Sequence, residues 1–304
     1  VINPRHRQQF KDNIQHQVHY IEQQQPLGTG NALQAALPKL KKYDSVIILY
    51  ADAPLVPQSL IHQLLELPTN DRVVGFYPHD PEQYGIIQCN SNQALKILEP
   101  LYHEKYTRPI ANSGILEISA QTLLQVPKIK PCQKNHEYYL TQLVSEKTPF
   151  ELLQFQGPPH QLSGINTPQQ LQTLAQTHKA YLVSLIAEKA NLDDHLSLHV
   201  DSEITVGSGV RIGPQVSLHG NITIGKNTHI ETGCVLTDSI IGDDVHLRPY
   251  SIISHSTIES GATIGPFCHI QQQSNIGNNC LIGNFVEINR SSLGPNTKAK
   301  HLSY

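Results

Sequence analysis

The sequence contains no methionine, and its first residue is Val1. Because translation starts at a methionine, we expect this chain to be a piece of a longer protein. No apolar run approaches the length of a membrane span, and the first residues do not resemble a signal peptide. These absences argue against insertion into a membrane and favour a cytoplasmic protein.

Cysteine and charge are both scarce. The five cysteines lie far apart with no Cys-x-x-Cys pair, which gives no sign of a disulfide framework or a zinc site and suits a reducing compartment. Cys234, Cys268 and Cys280 occupy or adjoin positions of a repeat, so we expect small buried residues rather than nucleophiles. The net charge is −3, so nothing points to nucleic acid or an anionic membrane as a partner. The 17 histidines are scattered, and we expect most of them to be solvated.

A six-residue repeat dominates residues 204–304. An aliphatic residue followed by glycine recurs there in eight pairs: Val206-Gly207, Ile212-Gly213, Ile224-Gly225, Ile241-Gly242, Ile264-Gly265, Ile276-Gly277, Ile282-Gly283 and Leu293-Gly294. Such hexapeptides are typical of a parallel β-helix, in which three short strands complete a coil of about 18 residues. We expect the aliphatic residues to point inward, glycine to permit the corners, and stacked coils to bury what one coil cannot. The alternative is a sandwich of short strands, and the regular spacing argues against it.

The first half of the chain alternates predicted strands with predicted helices. Residues 45–50 form an apolar run typical of a buried parallel strand, and helical spacing appears at residues 31–40 and 58–66. This alternation predicts an α/β sheet, whose ligands bind at the carboxyl ends of strands, where Asp52 lies. Residues 27–30 form a short Gly-containing loop before a helix. Taken alone, Asp52 and this loop are explained as well by a helix cap and a turn.

Several motifs in sequence order together resemble those of sugar-nucleotide pyrophosphorylases. They are Gln23, Leu27-Gly28-Thr29-Gly30-Asn31-Ala32, Leu49-Tyr50-Ala51-Asp52-Ala53-Pro54-Leu55, Tyr84-Gly85-Ile86-Ile87, Ile97-Leu98-Glu99, Asn112-Ser113-Gly114-Ile115, Glu137-Tyr138-Tyr139-Leu140-Thr141 and Gly164-Ile165-Asn166. Joined to a hexapeptide repeat, they make the whole chain resemble the bifunctional family that is both N-acetylglucosamine-1-phosphate uridyltransferase and glucosamine-1-phosphate acetyltransferase. The resemblance implies a nucleotidyltransferase and acyltransferase that makes UDP-N-acetylglucosamine, a precursor of peptidoglycan and lipopolysaccharide.

The resemblance also implies roles for individual residues. It places Gln23, Gly28 and Thr29 on the uracil and ribose side of the substrate. The other implied substrate contacts are Tyr50, Ala51, Gly85, Glu99 and Asn112. Asp52 and Asn166 match the Mg²⁺ positions, and their oxygen atoms are the ligands that Mg²⁺ prefers. UTP and acetyl-CoA are the implied co-substrates, and sugar phosphates and nucleotides the implied small-molecule partners.

The chain departs from the family pattern at three points in this half. Ala51 stands where the family has glycine, and Gln142 stands where it has aspartate. The Gly-rich loop Leu-Ala-Ala-Gly-x-Gly-Thr-Arg that opens such enzymes has no counterpart in the 304 residues. Without that loop the triphosphate has no cradle, so we expect this chain alone to be poor at uridylyl transfer and its longer parent not to be.

The last seven residues, Lys298-Ala299-Lys300-His301-Leu302-Ser303-Tyr304, resemble the acetyltransferase motif of the same family. The resemblance implies His301 as the general base for amine attack on a thioester and Tyr304 as a contact to the sugar phosphate. Gln271 and Asn289 stand where the family has arginine and lysine. The segment that binds acetyl-CoA is expected beyond Tyr304.

The sequence thus predicts an α/β, Rossmann-like nucleotidyltransferase domain at residues 1–167, a helical connector at 168–189, and an all-β left-handed parallel β-helix at 190–304 that forms a homotrimer. Two alternatives stay open. In one, the protein is a uridyltransferase whose β-helix is a trimerisation scaffold with a degenerate acetyltransferase site, as Gln271 and Asn289 suggest. In the other, it is a different sugar-nucleotide pyrophosphorylase, against which Glu99, Asn112 and the Tyr138-Tyr139 pair argue.

Overall fold

The computed structural model describes residues 1–14, 18–100 and 108–303. The chain divides into two compact units, Val1–Leu171 and Gln172–Tyr304. None of the helices in the described part of the chain combines the length and the apolar character needed to cross a bilayer. The α-helices are α1 (Arg7–Asn13), α2 (Thr29–Leu40), α3 (Gln58–Glu66), α4 (Ala120–Leu123) and α5 (Pro168–Ala187). Short 3-10 helices lie at Pro4–His6, Pro81–Gln83, Val126–Lys128, Leu140–Leu143 and Pro159–Leu162.

The first unit is built on a mixed six-stranded sheet. Its strands are β1 (Ser45–Ile48), β2 (Arg72–Phe76), β3 (Ile86–Asn90), β4 (Gln93–Leu98), β5 (Ala111–Ser119) and β6 (Phe150–Gln154), in the order β1-β5-β2-β6-β4-β3. Side chains alternate across the sheet, so Val73 of β2 packs in one core with Leu33 and Leu37 of α2, and Val74 packs in another with Leu60 of α3. Separate apolar cores thus join the sheet to α2 and to α3, which agrees with the predicted α/β class.

The prediction of a buried parallel strand at residues 45–50 is wrong in detail. Strand β1 ends at Ile48, and it pairs antiparallel with β5 from Ser45–Ser119 to Ile48–Leu116. Its side chains are half-buried rather than buried. Among the described residues β1 has a single neighbouring strand, so it is an edge strand of this sheet. Its apolar sequence is typical of a central strand.

The second unit is a parallel β-helix with three sheets, called here the first, second and third face. The first face contains Ala190–Leu192, Val210–Ile212, His229–Ile230, His246–Leu247, Thr263–Ile264, Leu281–Ile282 and Lys298–Ala299. The second contains His199–Val200, Ser217–His219, Val235–Thr237, Ile252–Ser254, His269–Gln271 and Glu287–Asn289. The third contains Thr205–Val206, Thr223–Ile224, Ile240–Ile241, Thr257–Ile258, Asn275–Ile276 and Ser292–Leu293.

Every pairing within these faces is parallel. The coils return after 17 or 18 residues, except the first, in which Ala190 pairs with Val210, 20 positions later. His229 pairs with His246, 17 positions later, and Arg211 pairs with His229, 18 positions later. The aliphatic residue of each repeat points into the prism as predicted; Ile264 and Ile276 are fully buried. Leu182, Val183 and Ile186 in the last turns of α5 join the same core. The prediction of a parallel β-helix is therefore confirmed.

Gly265 of the repeat lies in the left-handed region with φ of 95°, as expected of a corner, but the other glycines of the eight pairs act differently from the prediction. Gly213 and Gly225 are not in the left-handed region. A Cβ on Gly213 would lie 2.9 Å from the Thr232 nitrogen of the next coil, and one on Gly225 would lie 2.4 Å from the Gly242 carbonyl carbon. These glycines are needed because successive coils approach closely. The left-handed corners are filled by other glycines, such as Gly233 with φ of 69°, and by residues such as Asn227, with φ of 55°.

The three cysteines of the β-helix are buried, as predicted. Cys234 lies 3.2 Å from the carbonyl oxygen of Arg248, and Cys268 lies 2.7 Å from that of Gly283, so each thiol can donate to the following coil. Burial raises the pKa of the Cys234 thiol to about 11 and also raises the pKa of Cys268. Both thiols therefore stay protonated near neutral pH, whereas a nucleophilic cysteine acts as the thiolate.

Gly114 in the middle of β5 generates a stability prediction. Its φ is +78°, and a Cβ there would lie 2.3 Å from the Tyr50 ring. We expect Gly114→Ala to lower the free energy of unfolding by at least about 1–2 kcal/mol, because an L-residue is strained in this region and the ring must move as well. Urea unfolding followed by circular dichroism measures the loss. Gly164→Ala is the control, since its new methyl would meet its nearest atom, Asp52 Oδ2, at an ordinary 3.4 Å. Equal losses in the two variants would contradict the account.

Candidate active site

A cavity of about 200 Å³ lies where several strands of the six-stranded sheet begin or end. It is bordered by the segment after β1, the residues before β3, the residues after β4 and the start of β5. Seven of the predicted site residues line it: Thr29, Tyr50, Asp52, Gly85, Glu99, Asn112 and Asn166. Strand pairing explains the gathering, because Ile86 at the start of β3 pairs with Ala111 at the start of β5, and Ile48 at the end of β1 pairs with Leu116.

Asp52 and Asn166 line the same cavity although 114 positions separate them (166 − 52). The Ile165 N–H donates to the Asp52 carbonyl oxygen at 2.8 Å, which fixes the two segments side by side. Both side chains are exposed, and among the described residues the Asp52 carboxylate accepts no hydrogen bond and forms no ion pair. A carboxylate and an amide oxygen that both face one cavity fit the oxygen ligands of Mg²⁺, which keeps several water molecules.

The start of α5 holds Asn166 in place. Gln170 accepts hydrogen bonds through its side-chain oxygen from the N–H groups of Asn166, at 2.7 Å, and Thr167, at 3.0 Å. In return the Gln170 N–H donates to the Thr167 hydroxyl at 3.2 Å. This reciprocal cap satisfies free N–H groups at the start of the helix and agrees with the helical connector predicted to begin at residue 168.

Asn112 and Gly85 form the wall opposite. The Asn112 N–H donates to the Gly85 carbonyl oxygen at 2.8 Å, and the Asn112 side-chain oxygen accepts from the Gly114 N–H at 3.1 Å. The side chain is buried, and its NH₂ group has no acceptor among the described residues. Asn112 thus offers a donor whose direction the backbone fixes. A side chain at Gly85 would be crowded, since its Cβ would lie 3.0 Å from Ile97.

Glu99 is held by Thr141, whose hydroxyl donates to its carboxylate. Thr141 is buried and belongs to the motif Glu137-Tyr138-Tyr139-Leu140-Thr141, so the motif positions an acid rather than only filling the core. Sequence reasoning missed Thr141 and Tyr139 as site residues although it singled out this motif. It also treated Gln142 as a departure, and the structure shows its amide paired with the backbone of Lys130 at 2.8 and 3.2 Å.

Tyr50 lines the same cavity as Asp52 and Glu99 and stays protonated. Burial raises the pKa of its phenol to about 12; a hydrogen bond to the Thr29 side chain opposes this, and the charges of Glu99 and Asp52 add to it. The ring packs against Gly114, where no side chain fits. At neutral pH this position therefore carries a neutral hydroxyl group.

Three predicted substrate contacts are not part of the cavity lining: Gln23, Gly28 and Ala51. Gly28 has φ of +97° and packs against Tyr138, whose N–H donates to the Leu27 carbonyl oxygen at 2.7 Å. Gln23 donates through its side-chain amide to the Gly28 carbonyl at 3.1 Å and to Asn31 at 2.9 Å. Gln23 therefore braces the loop at residues 27–30, and Thr29 is the member of that loop that lines the cavity.

The predicted acetyltransferase residues lie at the last coils of the β-helix. His301 is exposed, and Tyr304 lies outside the described residues. Gln271 and Asn289 are direct partners in the second face, and the Gln271 amide donates to the Glu287 carboxylate at 2.9 Å. An acidic group thus adjoins the position where the family has a cation. A cavity of about 510 Å³ at this end is lined in part by Asn289 and Ser303, and His301 is not in its lining.

Comparison with known proteins agrees with both halves of this description. Residues 1–122 match the family model of the MobA-like NTP transferase domain, and residues 197–304 match that of the GMPPB C-terminal domain. Bifunctional protein GlmU of Thermodesulfovibrio yellowstonii is 32% identical over 315 residues, covering 100% of this chain and 70% of that protein. Bifunctional protein GlmU of Baumannia cicadellinicola is 32% identical over 302 residues, covering 94% of this chain and 63% of that protein.

The chain therefore spans about two thirds of the length of these relatives, between 63% and 70%. The similarity runs through the NTP transferase region and the hexapeptide repeat alike, in the order that the relatives have. The chain belongs to the family of bifunctional GlmU proteins.

Proposed function

We propose that the protein, in its full length, makes UDP-N-acetylglucosamine by uridylyl transfer from UTP to N-acetylglucosamine-1-phosphate. The observation that carries the proposal is the cavity that gathers Asp52, Asn166, Glu99, Asn112 and Gly85 from distant parts of the chain. Transfer of a nucleotidyl group requires positioning and charge neutralisation rather than a protein nucleophile. A cavity with the carboxylates of Asp52 and Glu99 and the Asn112 amide in its lining suits that requirement.

In this proposal the sugar lies against β3 and β5. The Asn112 NH₂ group donates to the N-acetylglucosamine moiety, Glu99 accepts from its hydroxyl groups, and Gly85 leaves the space that the ring occupies. The loop at residues 27–30, braced by Gln23, faces the uracil and ribose. Asp52 and Asn166 hold Mg²⁺, which when bound neutralises charge on the phosphates.

Loss of the Asp52 carboxylate tests this assignment. In the full-length protein we expect Asp52→Asn to lower kcat/KM for uridylyl transfer by at least about 100-fold, because a neutral amide holds a divalent cation poorly. The measurement is pyrophosphate release as a function of Mg²⁺ concentration. Asp44→Asn is the control: Asp44 is exposed immediately before β1, at the opposite end of the strand from Asp52. Full activity of Asp52→Asn at ordinary Mg²⁺ concentrations would contradict the metal assignment.

We further propose that the β-helix transfers an acetyl group from acetyl-CoA to glucosamine-1-phosphate, with His301 as the base that takes a proton from the attacking amine. The exposure of His301 leaves it open to substrate. One observation favours the alternative of a degenerate site that serves as a scaffold. Gln271 is engaged by the Glu287 carboxylate, and Asn289 beside it is neutral, so the structure gives the sugar phosphate no cation at either position.

Restoring the two cations separates these possibilities. In the full-length protein we expect Gln271→Arg with Asn289→Lys to lower the KM for glucosamine-1-phosphate at least about tenfold with a smaller change in kcat, because a charge-assisted hydrogen bond to phosphate is worth about 1.5–3 kcal/mol. Gln273→Arg with Asn284→Lys adds the same charge at two other exposed positions and is the control. A wild-type enzyme that already saturates at low substrate would show that another residue supplies the charge. A double variant without any acetylation would favour the scaffold.

We also propose a homotrimer in the cytoplasm. Support comes from apolar side chains that the β-helix leaves exposed, among them Ile240 and a column of stacked rings formed by Tyr250, Phe267 and Phe285 with centroids 5.4 Å apart. Exposed apolar surface of this kind marks an association surface. Sedimentation velocity of the 304-residue chain is expected to give a trimer at micromolar concentrations. A strict monomer over that range would argue against it.

A further inference from the structure

Three potential metal ligands meet on the first face of the β-helix. His229 and Glu231 flank Ile230, which is fully buried, so alternation along the strand turns both of their side chains outward. His246 is the direct partner of His229 one coil later. The sequence therefore contains a His-x-Glu segment followed by a third ligand at the repeat distance of one coil. The sequence analysis expected most histidines to be solvated and did not single out these two.

The side chains of this cluster are already close and ordered against each other. The two imidazole rings are stacked with centroids 5.1 Å apart and planes within 6°. Nε2 of His246 contacts the carboxylate of Glu231. One potential ligand atom from each of the three residues lies within 4.8 Å of the other two, and the three residues are all partly buried.

We propose that His229, Glu231 and His246 bind a divalent transition-metal cation of the Zn²⁺ class. Two imidazole nitrogens and one carboxylate oxygen are donors that suit Zn²⁺, with water in the fourth position, whereas Mg²⁺ prefers oxygen ligands alone. The chemistry of this cluster therefore differs from that of Asp52 and Asn166, and it selects a different cation.

The geometry requires a small closure of the side chains. Ligand atoms bound to tetrahedral Zn²⁺ lie about 3.4 Å apart, given bond lengths of about 2.0–2.1 Å. The strands that carry the ligands are hydrogen-bonded neighbours, so the backbone holds the two imidazoles one strand spacing apart. Rotation about the side-chain torsions then brings the ligand atoms to the distance that the ion requires. The side chains of His246 and Glu231 are 38% and 30% exposed, which leaves them room to rotate.

Two arginines adjoin the cluster along the stack. Arg211 pairs with His229 on the preceding coil, and its guanidinium is bonded to Asp193 at 3.2 Å. Arg248 follows the Leu247 carbonyl to which the Glu231 N–H donates. Both side chains are exposed, so solvent screens them, and Asp193 offsets the charge of the first.

A cation at this position would join two successive coils. His229 and Glu231 belong to one coil and His246 to the next, so coordination closes a link across a boundary that otherwise depends on strand hydrogen bonds and apolar packing. Because the three ligands converge only in the folded β-helix, binding would stabilise the native state over the unfolded chain.

The chain offers a matched control for the number of ligands. His219 lies 2.8 Å from the Asp201 carboxylate, which makes a histidine–carboxylate pair on the surface of the same β-helix. Within the described ranges, the group of His229, Glu231 and His246 is the single set of three or more such ligands close enough to share an ion. A two-ligand pair reports the binding that an ordinary surface histidine gives.

The experiment is a Zn²⁺ titration of the 304-residue chain in competition with a chromophoric chelator, in excess Mg²⁺. We expect one Zn²⁺ equivalent whose affinity falls at least about tenfold in His246→Gln and in Glu231→Gln, and is unchanged in His219→Gln. Co²⁺ in place of Zn²⁺ should give the visible absorption of a four-coordinate site, which His246→Gln loses. Zn²⁺ should raise Tm in the wild type and in His219→Gln, and not in His246→Gln.

Circular dichroism without metal checks that the variants fold, which is expected because these side chains are on the surface. Unchanged stoichiometry and affinity in His246→Gln and Glu231→Gln would overturn the proposal. So would equal weakening in His219→Gln, because binding would then be adventitious and spread over surface histidines.

Discussion

The hydrogen bonds between successive coils are the constraint on which the β-helix depends. Beyond the first coil, each coil must return to the same position after 17 or 18 residues so that the N–H group of one coil meets the carbonyl of the next. In that register, equivalent residues of successive coils lie above one another and form a column. One column buries aliphatic residues, one includes Gly207, Gly225 and Gly242, beside which the backbone of the next coil passes closely, and one brings His229 and His246 together.

The first unit reaches its site by a different route. Its cavity depends on where strands begin and end, since residues at or next to the ends of β1, β3, β4 and β5 line it together. The hydrogen bond from Ile165 to Asp52 then ties a distant segment to that edge. Backbone hydrogen bonds thus set the relative positions of Asp52, Asn166 and Asn112, and their short side chains supply the polar atoms that line the cavity.

Much of this could be predicted from residues 1–304 alone. The period of six predicts the β-helix, because an apolar column repeats wherever the coil returns, and the connector predicted at residues 168–189 agrees with α5 at Pro168–Ala187. The antiparallel edge position of β1 could not be predicted, since an apolar run does not specify its neighbour. The role of Gly213 also could not, because it depends on the approach of residues one coil away, and the pairing of Gln142 with Lys130 is likewise a tertiary contact.

The central claim is that the cavity of the first unit holds a sugar nucleotide whose phosphates lie beside Asp52 and Asn166. The most direct measurement is a crystal structure of the full-length protein with UDP-N-acetylglucosamine and Mn²⁺ in place of Mg²⁺. The account predicts an anomalous peak bonded to the oxygen atoms of Asp52 and Asn166, with the sugar against Gly85, Glu99 and Asn112. A sugar nucleotide bound elsewhere, or a metal ion that touches neither Asp52 nor Asn166, would contradict it.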